Sequence, residues 1–157
     1  GGIDYNDPLL DRLLALPHVA GIMLATLNGV TGFLEMAARI PDGKLLISGE
    51  DRFLGYSLMM GARAALIGLG AGRTALTAAL LAAFAAEDWA SFHRLHALVD
   101  RLGAVTFREP TEGYIRRMLW VLALDGVIPK ESTFDPWGPE VASWELDEVG
   151  AVLSQLA

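Results

Sequence analysis

Val19-Ala20-Gly21-Ile22-Met23-Leu24-Ala25-Thr26 is the stretch on which the reading of the fold turns. It is a short apolar run set between a proline-bounded helical pattern and a polar turn, which predicts a strand buried on both faces. Residues 44–49 and 63–68 form two similar runs, and each of the three is trailed by a helical pattern. Strand followed by helix, three times over, predicts a parallel α/β sheet.

Upstream of the first run, Asn6-Asp7-Pro8 has turn and helix-start chemistry, with Asp7 as N-cap and Pro8 as first helical residue. Leu9, Leu10, Leu13, Leu14 and Leu16 supply the expected buried stripe, and Pro17 ends the helix. Downstream, Asn28-Gly29 predicts a turn and residues 30–40 a helix carrying Phe33, Leu34 and Met36. Pro41-Asp42-Gly43 is a second turn, residues 52–60 a second helix, and Gly61 its C-terminal cap. From Thr74 onward no strand pattern recurs. Helices are expected over 74–86, 89–102, 111–124 and 144–156, with an aromatic, proline-rich loop at 129–139. Three strands and the tail of a fourth leave a parallel sheet with open edges, so further strands are expected upstream. The opening Gly-Gly without a Met suggests the same: a fragment, a processed product or an expression scar.

Composition narrows the function classes. With 157 residues and 53% hydrophobic content the chain can bury a core, while a net charge of −7 argues against nucleic acid and anionic membrane as partners. The absence of cysteine removes disulfides and thiolate metal sites. Residues 64–86 are apolar enough to suggest a membrane span. However, Gly68, Gly70 and Gly72 interrupt the segment, and Arg73 near a bilayer centre would cost about 2.5–3.5 kcal/mol. A strand, a glycine turn and a buried helix explain it better. Nothing resembles a signal peptide, and a cytoplasmic location is expected.

Several short motifs then fall in a distinctive order: Tyr5-Asn6-x-Pro8, Gly21-Ile22-x on a strand, Ser48-Gly49-Glu50-Asp51, and Gly61-Ala62-x-x-x-x-Ile67-Gly68. With Arg116-Arg117-Met118 and Pro129-x-x-x-x-Phe134-Asp135-Pro136, this order resembles the C-terminal half of the dihydrodipicolinate synthase / N-acetylneuraminate lyase family. The resemblance implies half of a (β/α)8 TIM barrel, from the end of strand five through strand eight. Residues 1–86 would be the partial barrel and 87–157 a helical C-terminal extension of the same structural domain. It also implies a class I aldolase or dehydratase acting on a 2-oxo acid such as pyruvate, needing no cofactor or metal, and usually a homotetramer.

The family reaction runs through a lysine amine that condenses with the 2-oxo carbon to form a Schiff base. That lysine is the third residue of a Gly-Ile-Lys stretch, and Met23 stands there in this sequence. A thioether forms no imine, so the resemblance implies a catalytic position without its catalytic group. The bland alternative for Met23 is core filler. Lys44 and Lys130 are the only lysines, one at the start of a strand and one in a late loop. Tyr5 matches the tyrosine that relays protons, a role that suits a phenol as both donor and acceptor. The alternative for Tyr5 is a packed loop residue. Leu9 and Leu10 follow Pro8 where members making the lysine precursor typically carry an arginine, which disfavours that substrate. Gly49 and Ile67 match pocket-lining positions, with a strand-end turn and core packing as their alternatives.

Three other features have bland readings. Asp51 suits a helix N-cap. The loop Gly68-Leu69-Gly70-Ala71-Gly72-Arg73-Thr74 hints at phosphate binding but lacks both the Walker lysine and dinucleotide spacing. His93 and His96 share a helix face without a third ligand nearby. The remaining alternative at the level of the whole chain is a non-catalytic protein that senses a 2-oxo acid or serves only in assembly.

Overall fold

Gly21 stands opposite Leu45, Met23 opposite Ile47, and Ile47 opposite Ala64, so the three strands run parallel and lie side by side in chain order. The computed structural model describes residues 7–25 and 30–156. Its elements are α1 (Asp7–Leu14), β1 (Gly21–Leu24), α2 (Val30–Ala37), β2 (Leu45–Ser48), α3 (Leu54–Met59), β3 (Ala64–Ala65), α4 (Thr74–Ala85), α5 (Trp89–Thr106), α6 (Tyr114–Leu124) and α7 (Trp144–Gln155). Short 3-10 turns occupy Gly68–Ala71, Thr111–Gly113 and Lys130–Ser132. The alternation of strand and helix up to β3, and helix alone after it, follows the sequence pattern. No helix of the described residues is long and apolar enough to cross a membrane.

The described chain falls into two compact units, the first made of residues 7–25, 30–50 and 54–66 and the second of 51–53 and 67–156. In the first, side chains alternate across the sheet. Leu24, Leu46 and Ser48 point to one face and are buried, whereas Met23 on the other face is 43% exposed. The expectation of a strand buried on both faces therefore fails for β1. The face bearing Met23 and Ile47 lacks a full cover among the described residues. In α1 the buried side chains are Leu10 and Leu14, four residues apart on one stripe. Leu9 falls to the side of that stripe and Leu16 lies past the helix end; both are exposed, contrary to expectation.

Two polar ties hold the first unit. Lys44 donates from Nζ to the carbonyl oxygens of Leu16 at 2.9 Å and Val19 at 2.6 Å, fastening the exit of α1 to the start of β2. Arg39, just past α2, pairs with Asp7 and Asp11 of α1. The Asp11 and Asp7 carboxylates together raise the Arg39 pKa above its ordinary value.

In the second unit, helices α5, α6 and α7 surround Phe92, Val99, Leu102, Val121, Val149 and Leu153, all buried. Gly72 lets the loop before α4 lie against α6: a methyl group there would stand 2.6 Å from Cγ1 of Val121 and 3.0 Å from Cε of Met118. Gly126, with φ of 73°, closes α6 in the left-handed conformation that glycine adopts freely.

Candidate functional site

Chemistry in an α/β fold of this kind gathers at the carboxyl ends of the strands. Met23 is the third residue of β1 and Gly49 follows β2 directly, so the first unit brings these two positions to neighbouring strand ends. The Gly49 N–H donates to the Leu24 carbonyl at 2.6 Å, continuing the ladder past the strand. A Cβ at Gly49 would stand 2.8 Å from the Leu24 oxygen and 2.9 Å from the Ala25 methyl. Glycine is therefore required here by close approach to β1, the strand-end reading of the sequence, and this leaves its candidate role as a pocket wall compatible but separate. Behind it, Glu50 is buried, and Ser48 donates its hydroxyl to Ser57 at 2.8 Å while accepting from the Glu50 N–H at 3.2 Å.

Ile67 belongs to the second unit, half-buried and extended at φ −130° and ψ 147°, immediately before the 3-10 turn. Tyr5 lies outside the described residues. Asp51, expected as a helix N-cap, also reaches the glycine loop. Its Oδ1 accepts from the Leu69 N–H at 2.6 Å, a backbone donor of the 3-10 turn eighteen residues on. The turn is further packed by the stacked rings of Phe107 and Tyr114, whose centroids lie 4.8 Å apart; a Cβ at Gly68 would meet Tyr114 at 3.2 Å.

The glycine loop has a structural explanation in full. Arg73 sits at φ 53° with its Nε 2.9 Å from Oδ2 of Asp125, and Thr74 donates its hydroxyl to the Gly70 carbonyl at 2.8 Å. The cation that a phosphate would need from this loop is thus held by a carboxylate. His96 stacks on Phe92 with centroids 6.2 Å apart, and no group of three or more metal-binding side chains occurs among the described residues.

Of the two lysines, Lys44 stands at the amino end of β2 with its ammonium on two carbonyls, and Lys130 lies in the 3-10 turn after α6. An amine nucleophile must be free and deprotonated to attack a carbonyl. Lys44, donating to Leu16 and Val19, is neither placed nor freed for that. A cleft of about 390 Å³ opens beside it, lined by Asp42, Lys44, Met60 and Arg63 among others. This cleft lies at the amino ends of β2 and β3, away from Met23 and Gly49.

No family model matches the sequence, and no curated protein matches it. Solved structures do. The chain superposes on dihydrodipicolinate synthase from Oceanobacillus iheyensis with a TM-score of 0.81 at 14% identity, covering 96% of this chain and 50% of that one. The enzyme from Bacillus clausii gives 0.80 at 16%, covering 96% and 51%. That from Bacteroides thetaiotaomicron gives 0.79 at 17%, covering 98% and 52%. The chain spans about half the length of the structures it matches. At such identities the likeness is one of fold: a small parallel sheet with many helices, matching half of each of these synthases.

Proposed function

We propose that the chain is the C-terminal half of a lyase of the dihydrodipicolinate synthase / N-acetylneuraminate lyase family, with Met23 where the Schiff-base lysine stands. On this reading β1, β2 and β3 are strands six, seven and eight of a (β/α)8 barrel, and residues 87–157 are the helical extension. The observation that carries it is the placement of Met23: third residue of its strand, 43% exposed, beside Gly49 at the end of the next strand. Met23 lies on the sheet face opposite the buried Leu24, Leu46 and Ser48, the face over which the remaining strands of such a barrel would close.

The ligand is a small 2-oxo acid such as pyruvate, and Gly49 and Ile67 line its pocket, with Tyr5 relaying a proton at the substrate oxygen. The protein is a homo-oligomer in the cytoplasm. Because a thioether has neither an N–H nor a nucleophilic nitrogen, no imine forms at position 23 and the family reaction does not run through it. What remains is a non-catalytic binder of 2-oxo acids or an assembly subunit.

Incubation with pyruvate and borohydride, followed by mass measurement, tests the loss of chemistry. No adduct is expected. A reduced adduct on Lys44 or Lys130 would overturn the claim. Met23→Lys, made in a polypeptide carrying the complete barrel, should restore trapping, and its failure to do so would remove Met23 from the catalytic position. Thermal stabilisation by pyruvate without an adduct would favour sensing over assembly alone.

A further inference from the structure

Between α6, α7 and the turn Lys130–Ser132, the second unit carries a cleft of about 160 Å³ lined by Trp120, Ala123, Leu124, Lys130, Thr133 and Leu146. Four of these six side chains are hydrocarbon or indole. Of the two polar ones, Thr133 donates its hydroxyl to the Lys130 carbonyl at 2.9 Å, so it is spent on holding the turn. Lys130 enters no ion pair among the described residues, although this chain carries 19 acidic side chains against 12 basic ones. The cleft therefore offers an apolar body and a single uncommitted cation at its edge.

We infer that this cleft binds a short-chain aliphatic monocarboxylate, with the carboxylate on Lys130 and the hydrocarbon tail against Trp120, Leu124 and Leu146. Its size sets the length. At roughly 30 Å³ per water the space equals about five waters, well under the roughly 300 Å³ at which pockets for drug-sized ligands begin. A tail of about three to five carbons fills it. Charge sets the head group: a neutral alcohol of the same length gains the tail contacts but not the ammonium, and a dicarboxylate would bury a second charge against apolar walls. The site is independent of the strand-end chemistry proposed above.

The test uses the 157-residue chain and follows the Trp120 indole and the Lys130 and Thr133 amides by NMR while sodium pentanoate is added at fixed ionic strength. Pentanoate is expected to shift these signals and to bind roughly fivefold more tightly than 1-pentanol, the value of one exposed ion pair. Affinity should rise by about fourfold per methylene from propanoate and level off near pentanoate or hexanoate. Lys130→Met, at an exposed site that leaves the fold intact, should erase the preference for the acid over the alcohol. Ala123→Leu should abolish binding of both. Absence of any shift with pentanoate, equal binding of pentanol, or undiminished acid preference in Lys130→Met would each overturn the inference.

Discussion

The Nε of Arg117 lies 2.6 Å from Oε2 of Glu145, and neither side chain reaches solvent to any useful extent. The same guanidinium donates from Nη1 to the carbonyl oxygens of Arg108 at 2.8 Å and Pro110 at 3.1 Å, while Oε1 of Glu145 accepts from the Ala142 N–H at 3.1 Å. One ion pair thus fastens the exit of α5, the middle of α6 and the start of α7. Removing one partner of a buried pair strands the other charge, which typically costs about 3–5 kcal/mol, whereas replacing both by apolar groups is far less harmful. Arg117→Met should therefore lower unfolding stability by about 3 kcal/mol or more in urea. Arg117→Met combined with Glu145→Leu should recover a large part of that loss. Additive losses in the double variant would show that the two charges do not depend on one another.

Lys44 offers a second tie, of different character. Its ammonium donates to the Val19 carbonyl and adds a second donor to the Leu16 carbonyl, which already accepts from the Val19 N–H at 3.2 Å. Lys44→Met keeps the aliphatic stem and deletes only the donors. Hydrogen bonds from a charged group are worth about 1.5–3 kcal/mol when buried, and partial exposure here brings the expectation nearer 1–2 kcal/mol. Thermal unfolding of the variant measures it. An unchanged melting temperature would mean that water satisfies the Leu16 and Val19 carbonyls equally well.

These two ties differ in how far the sequence announces them. The repeat of apolar run and helical pattern around Gly21, Leu45 and Ala64 is a local signal, and the three parallel strands appear where it places them. Their lengths are set by non-local events. The third run spans six residues in sequence; Ala64–Ala65 pair as strand, Arg63 and Leu66 donate to the Leu46 and Ser48 carbonyls on either side, and Gly68–Ala71 coils into a 3-10 turn whose Leu69 N–H is held by Asp51. Arg116 and Arg117 are indistinguishable as letters. Only Arg117 is wholly buried, because it meets Glu145 twenty-eight residues away, while Arg116 places its guanidinium 5.6 Å over the Phe134 ring. Met23 was legible as a position and not as an environment: its exposure depends on what covers that face of the sheet.

Asp88 provides the pH prediction. Its carboxylate caps α5, with Oδ1 accepting from the Ser91 N–H at 3.0 Å, and hydrogen bonds from the Ser91 hydroxyl and backbone hold its pKa below the ordinary aspartate value. A pKa depressed on folding means that the unfolded chain binds the proton more readily. The contribution to stability is therefore complete above the ordinary aspartate range and disappears as pH falls through the lower, folded value. Asp88→Asn keeps an acceptor at the cap without the titration, so it should flatten this part of the acid limb while α5 stays capped. The NMR titration midpoint of Asp88 checks the direction; a midpoint at or above the usual aspartate value would contradict it.

Two glycines of the first unit separate requirement from tolerance. Gly21, the first residue of β1, lies so close to β2 that a methyl group there would run into the carbonyl oxygen of Leu45, its register partner. Backbone cannot step aside as a flexible side chain can, so Gly21→Ala must push the strands apart, at a cost in the upper part of the roughly 1–3 kcal/mol range for overpacking. At Gly32, inside α2, an added methyl would meet nothing within 4 Å, and the backbone there is not left-handed. Alanine at that position removes conformational freedom from the unfolded chain and should stabilise by about 0.4–1 kcal/mol. Urea unfolding of both variants measures the contrast. Equal effects would imply that β1 and β2 do not hold the register observed, and with it the placement of Met23 beside Gly49.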